Sequence, residues 1–287
     1  MLNYAESFSD LPVSRKLRDN LLKDYDIHAR PVKSHTTITN VSFEFYIEQL
    51  VDIDITTGSV ILDGAIYLHW VDEHLVWNPA DYGNIKEFRF DEEDIWKPDI
   101  SILDSSTNDN AFSTVTKAPI HVNASGSVYW YQTVTAISHC EFDLTNFPFD
   151  EHSCNQWFST WTYDINAVNI TLFSSAYNNN GVHSCAYGPY FVNPHWTMTT
   201  PECYIHIYRE GIYISVNFRV TRRLPNYKYY LQIPYAAATL FAIVAFILPI
   251  GSNQRLVFSG FSLLILTMLL IFIGYSLGFQ SIGSPYA

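Results

Sequence analysis

The residues best placed to do chemistry lie in "HCEFDLTNFPFDEHSC", from His139 to Cys154. The chain has four cysteines and places two of them here, with thirteen residues between Cys140 and Cys154. Two sulfur chemistries fit that content. A zinc site built on Cys140, Cys154 and His139 lacks the close-paired ligand spacing of structural zinc centres, so a metal is not expected. A disulfide would instead close the loop, contribute roughly 3 kcal/mol in the chain-entropy model and fix the shape of a protruding tip. That tip is apolar, "FPF", which is costly in water and suits contact with the end of a membrane-embedded helix. No nucleophile–base arrangement or metal motif is apparent elsewhere, so neither an enzyme nor a cofactor is expected.

The elements that must position this loop fall into two unlike halves. The 287 residues carry a formal net charge of −12 and a pI near 5.1. Such an acidic surface argues against nucleic acid and concentrates cations. After Lys228 the only Asp, Glu, Lys or Arg is Arg255. Residues 229–250 and 256–275 are each apolar and long enough to cross ~30 Å of hydrocarbon as a helix, which predicts a membrane protein. The preceding half is polar and rich in period-two alternation. "VSFEFYI" sets Val41, Phe43, Phe45 and Ile47 on one face; "SVILDGAIYLHW" does so with Val60, Leu62, Ile66, Leu68 and Trp70. "GIYISVNFRV" repeats the pattern through Ile214, Val216, Phe218 and Val220. Together they predict a β-sandwich. Leu17, Leu21 and Leu22 mark one short amphipathic helix before it.

Sequons at Asn40, Asn123 and Asn169 and the cysteine content favour an exported, glycosylated domain, in which the four thiols can pair. "MLNYAESFSD" has no apolar signal core, and Arg219, Arg222, Arg223 and Lys228 crowd the outer end of the first span, against the positive-inside tendency. Placing the sandwich outside therefore requires a cleaved signal that these residues do not contain.

The loop resembles the signature loop of the Cys-loop family, the pentameric ligand-gated ion channels. Its Phe-Pro-x-Asp quartet is Phe147, Pro148, Phe149 and Asp150. "HWVDEHLVWNPADYGNI" (69–85), "IWKPDISILDSS" (95–106), "WFSTWTYD" (157–164) and "VTRRLPNYKYYLQIP" (220–234) resemble further blocks of the nicotinic branch, in order along the chain. The resemblance implies a Cys140–Cys154 disulfide and a mainly β fold of one short helix and about ten strands. It implies an extracellular ligand-binding domain over 1–226 and a partial transmembrane domain over 227–287. The implied protein is a plasma-membrane receptor subunit that assembles with four homologous subunits and takes a small agonist, held in family members by an aromatic cage suited to a cation.

Residue by residue, the resemblance assigns Trp161, Tyr163, Tyr204, Tyr208 and Tyr213 to the principal face, and Tyr67 to the complementary one. Leu103 stands where the nicotinic pattern has tyrosine, and Ala65 where it has tryptophan. An adjacent cysteine pair is missing from the capping loop; whether Cys185 and Cys203 pair is left open, as is the ligand. Phe147–Asp150 and Arg222 are expected to couple the sandwich to the membrane helices. Gln254, Val257, Phe261, Leu264 and Met268, with Ile271 and Tyr275, share a helical face expected to line a pore, Leu264 at the central gate. Gln254 and the "SNQR" segment match neither the cation- nor the anion-selective pattern. "FQSIGSPYA" resembles the link to a third span, so a third and fourth span are expected beyond these residues. A non-conducting or dominant-negative regulatory subunit and a membrane-tethered binding module remain the alternatives.

Overall fold

The structure, a computed structural model, describes residues 12–103, 113–114, 117–173, 183–185, 188 and 192–277. The helix α1 (Val13–Leu22) precedes β1 (Thr39–Asp54), β2 (Ser59–Val71), β3 (Glu87–Phe90), β4 (Ile100–Ile102), β5 (Ser113–Thr114), β6 (Ile120–Asn123) and β7 (Ser127–His139). There follow β8 (Glu151–Thr160), β9 (Val168–Leu172), β10 (His183–Ser184), β11 (Trp196–Met198), β12 (Glu202–Tyr208) and β13 (Gly211–Arg222). Two helices close the order, α2 (Leu224–Ile247) and α3 (Asn253–Leu277). Of the thirteen strands among the described residues, nine have four residues or more, so the expected ten or so are the long ones plus short edge pieces. The expected domain boundary at 226/227 falls in the first turn of α2.

The strands form two sheets. One runs β3-β6-β7-β2-β1-β9 with β5 beside β7; the other runs β10-β12-β13-β8-β4 with β11 beside β13. Each predicted alternation faces the space between them. Val41, Phe43, Phe45, Ile47, Val60, Leu62, Leu68, Trp70, Ile214, Val216 and Val220 are all buried there. Phe158 of β8 joins the layers, its ring 5.2 Å from both Phe43 and Phe45 of β1. Leu17 of α1 is fully buried, and Leu21 and Leu22 pack against the same core.

β1 does not keep one alternation throughout. Register shifts at Ile47/Gln49 and Leu50/Asp52 insert bulges that bring Leu50 and Ile53 back to the buried face. Gly64 pairs with Ile47 beside the first bulge, where a Cβ would stand 2.3 Å from the Tyr46 carbonyl oxygen. Only glycine allows that approach.

The Trp-x-Asp and Trp-x-Pro-Asp blocks act together in the core. Trp70 and Trp96 meet edge to face at 5.9 Å. Tyr25 donates its hydroxyl to Asp72 Oδ2 at 2.6 Å and accepts from the Trp96 amide at 3.0 Å. Burial, then the Asp72 charge and hydrogen bond, push the Tyr25 phenol well above its ordinary value.

The stretches Tyr229–Ile247 and Asn253–Tyr275 contain 19 and 23 residues and span about 28 and 34 Å at 1.5 Å per residue. Soluble core helices would be mostly buried, but 11% and 6% of these apolar windows are. The helices touch along a stripe that includes Phe241–Phe258 at 5.9 Å and a hydrogen bond from Ser262 Oγ to the Ala238 carbonyl at 3.0 Å. The segment 279–287, expected to lead to a third span, lies outside the described residues.

Removing the Phe158 ring should leave a cavity between the layers. Phe158→Ala is expected to destabilise the domain by about 3–5 kcal/mol, read as a lowered denaturation midpoint with unchanged slope.

Candidate functional site

At the end of the sandwich where β13 leads into α2, Cys140 and Cys154 are disulfide-bonded, with Cα atoms 5.2 Å apart. Sulfur bound to sulfur has no thiolate to give a metal, which removes the zinc alternative. The loop between them reaches the cis Phe147–Pro148 bond and Phe149, which is 73% exposed. Asp150 then turns inward, 3% exposed. Arg222, the last residue of β13 and two positions before α2, donates from Nε to Asp150 Oδ1 and from Nη2 to Oδ2, both at 2.8 Å. Its guanidinium lies over Trp196 at 4.2 Å and Phe147 at 5.1 Å. His152 donates from Nε2 to Asp150 Oδ2 at 2.8 Å. Burial alone would push the Asp150 carboxyl up; the His152 and Arg222 hydrogen bonds and the Arg222 charge outweigh it and hold the carboxyl far below the usual range. The structure thus joins Phe147, Asp150 and Arg222, and adds His152 and Trp196, which pattern matching did not single out.

The second set of candidates lies at the opposite end of the second sheet. Trp161 follows β8 and is 69% exposed. Asp99 of the Trp-x-Pro-Asp block holds it there: the Asp99 carbonyl accepts from the Trp161 amide at 3.3 Å, and Oδ2 from the Thr162 amide at 2.6 Å. Tyr163 turns the other way and accepts from Trp96 Nε1 at 3.4 Å, with the rings 6.2 Å apart. Leu103 is partly exposed and donates its amide to the Trp157 carbonyl at 3.0 Å.

Register places Trp157, Ser215 and Tyr204 in one outward row and Ser159, Tyr213 and His206 in the next. Trp157 and His206 lie 5.1 Å apart, and His206 Nε2 is 2.9 Å from Ser215 Oγ. The expected capping loop is a two-residue turn, Arg209–Glu210, between the paired Tyr208 and Gly211. Its tip is tied down by the Ile165 amide, which donates to the Glu210 carbonyl at 2.8 Å. Arg209 sits 5.3 Å over the Tyr208 ring. Cys185 and Cys203 are disulfide-bonded, with Cα atoms 5.4 Å apart, which answers the pairing left open by sequence.

Tyr67 and Ala65 belong to the outer face of the first sheet instead. Ala65 is fully buried and presents no surface to a ligand. Tyr67 packs on Phe173 at 5.1 Å and Tyr129 at 6.4 Å, and Tyr129 stacks on His69 at 4.6 Å. Tyr131 donates to Glu48 at 3.4 Å. Burial, then Tyr129 and Glu44, raise the Tyr67 phenol. Sequence reasoning missed Tyr129, Tyr131 and His69. The alternation of Tyr129 and Tyr131 in "SVYWYQT" was legible, but their alignment with His69 and Tyr67 required the β2–β7 register.

On α3, Val257, Phe261, Leu264, Met268, Ile271 and Tyr275 are each more than half exposed. This face is distinct from the stripe packed on α2, although Phe261 lies at its margin, 6.2 Å from Phe241. Gln254 is exposed in the first turn of α3. Asn40, Asn123 and Asn169 occupy strand positions at the surface of the first sheet. No group of three or more His, Cys, Asp or Glu capable of holding a metal occurs among the described residues.

The buried ion pair generates a direct test. Asp150→Asn would leave the Arg222 charge uncompensated and should cost about 3–5 kcal/mol in thermal unfolding of the purified chain, whereas Asp150→Asn combined with Arg222→Met should recover most of it. The depressed Asp150 carboxyl stabilises the fold above its unfolded-state pKa, and that contribution fades only as pH falls from there through the lower folded value.

Residues 14–224 match the profile of the neurotransmitter-gated ion-channel ligand binding domain. Among similar proteins, the neuronal acetylcholine receptor subunit beta-3 of Rattus norvegicus is 31% identical over 259 residues, covering 88% of this chain and 53% of that protein. The subunit non-alpha-3 of Carassius auratus is 30% identical over the same length and shares. The acetylcholine receptor subunit alpha-L1 of Schistocerca gregaria is 27% identical over 284 residues, 96% of this chain and 50% of that protein. The chain thus spans about half the length of these relatives. With the family profile covering the whole sandwich and its disulfide loop, the chain belongs to the neurotransmitter-gated ion-channel family, whose members are receptors rather than enzymes.

Proposed function

We propose that the chain is a subunit of a neurotransmitter-type ligand-gated ion channel of the plasma membrane, with its sandwich extracellular. One observation carries the reading of the binding site. The aromatic candidates divide between opposite outer faces of one sandwich: Trp157, Tyr204 and Tyr213 on the second sheet, Tyr67, Tyr129 and Tyr131 on the first. A single chain cannot close both sets on one ligand. Neighbouring copies or homologous subunits in a closed ring of five can, and the acetylcholine receptor relatives support that assembly.

The ligand is a small molecule, and the mixture of aromatic rings with Glu44 and Glu48 suits a cation. Trp161, Tyr204, Tyr208 and Tyr213 form its principal side, with Leu103 at the margin; Tyr67 contributes across the interface. Ligand-driven motion passes through the Phe147–Asp150 tip and Arg222 into α2. Along α3, Gln254, Val257, Phe261, Leu264 and Met268 line the pore, and a ring of Leu264 side chains stops ions by excluding water. A regulatory subunit that leaves the principal site incomplete is the second reading. It is favoured by Leu103, by the buried Ala65, and by the short hairpin whose Arg209 already covers Tyr208.

Two experiments test these roles in a full-length receptor containing this chain. Trp161→Ala should abolish or raise at least tenfold the agonist concentration needed for half-maximal current, at unchanged surface expression; unchanged potency removes Trp161 from the site. Leu264→Ser should increase resting current or agonist sensitivity. A surface-expressed Leu264→Ser receptor indistinguishable from an active wild type rejects the gate, and silence in both favours the regulatory reading.

A further inference from the structure

Two of the three sequons, 129 residues apart in sequence, are neighbours in the fold. β1 and β9 run parallel, and their register sets Asn40 opposite Asn169 and Ser42 opposite Thr171. Both members of each sequon therefore meet their counterparts on one outward face. Asn169 Nδ2 donates to Asn40 Oδ1 at 3.0 Å, and the hydroxyls of Ser42 and Thr171 are 3.5 Å apart. Asn40 and Thr171 are exposed, and β9 ends the sheet order, so the face is open in this chain. Asn123 stands apart at the end of β6, with three strands between it and β9. Its Oδ1 accepts from the amides of Ser125 and Ser127 at 3.1 and 2.9 Å.

We infer that the folded protein accepts an N-linked glycan on either Asn40 or Asn169, each able to serve when the other is bare, but never on both at once. The modification joins the side-chain nitrogen Nδ2 to the anomeric carbon of an oligosaccharide supplied on a polyprenyl pyrophosphate. The new N–C bond replaces the sugar–phosphate C–O bond; the amide loses one proton and the lipid pyrophosphate departs. A single glycan is compatible with the pair. On Asn40 it leaves Oδ1 free to accept, and on Asn169 it consumes one of two N–H bonds. Two glycans are not compatible. Parallel neighbours stand about 4.8 Å apart, less than the width of a pyranose bearing its acetamido group, and both sugars would leave amides already in contact. A chain modified twice must separate these amides, which opposes pairing of β9 with β1. The sugar also borders the Tyr67 face, because Ser42 pairs with His69, the residue stacked on Tyr129.

The inference rests on the extracellular placement proposed above, and the test separates the two. The full chain is expressed in a eukaryotic secretory host, and the pool with both disulfides formed is selected by its resistance to thiol alkylation. Endoglycosidase-sensitive mobility steps are then counted. In an Asn123→Gln background one step is expected. Adding Asn40→Gln or Asn169→Gln should each preserve one step, and adding both should remove it. Two steps in the background, or loss of the step in either single addition, overturn the exclusion. No step in that background overturns it as well; if the wild-type chain, with Asn123 intact, also shows none, the extracellular placement fails with it.

Discussion

The Asp150–Arg222 pair ties the disulfide loop to the last strand of the sandwich, two residues before the first apolar helix begins. Both groups are removed from water, and a buried ion pair is not in itself a large source of stability, because desolvation offsets much of its attraction. Its distinct property is directional. A guanidinium fork meets a carboxylate in one geometry, so the pair specifies where the loop sits relative to β13. His152 occupies part of the remaining capacity of the carboxylate, while Trp196 and Phe147 cover the faces of the guanidinium. With its charge satisfied inward, the loop can present the exposed ring of Phe149 outward.

The rest of the sandwich keeps that junction in register with the far end. β13 runs the full distance, pairing with β8 through its whole middle and ending on Arg222. β8 begins beside Asp150 and ends just before Trp161. Two adjacent strands therefore carry both candidate regions, and Phe158 anchors β8 against β1 between them. A rigid pair of strands is a physical means by which a change near Trp161 would be felt at Asp150 in the proposed receptor. The two disulfides reinforce the arrangement, since Cys154 lies on β8 and Cys203 on β12, the partner of β13.

Local composition determined much of this protein. Period-two alternation marked the buried faces of β1, β2 and β13 because successive strand residues point to opposite sides, and apolar ones must leave water. Two nearly uncharged apolar stretches marked α2 and α3 for the same reason. The spacing of the cysteines and the Phe-Pro-x-Asp quartet located the loop, and the resemblance of the aromatic blocks marked Trp161 and the tyrosines as candidates. Within one strand or one helix, the residues were sufficient.

Tertiary structure alone decided what depends on register and on packing between distant segments. The bulges in β1 switch its alternation, and a one-residue slip moves a side chain to the other face. The resemblance assigned Tyr163 to the principal face beside Trp161, yet the contact with Trp96 turns it inward. The resemblance set Ala65 at a tryptophan position of the complementary face, but its surroundings bury it. Pairing of Cys185 with Cys203, the alignment of Tyr129 and Tyr131 beside Tyr67, and the meeting of Asn40 with Asn169 each join segments far apart in sequence or set by strand pairing. Side-chain chemistry is written residue by residue, whereas neighbourhood across a sheet is set by hydrogen-bond register, which no single segment contains.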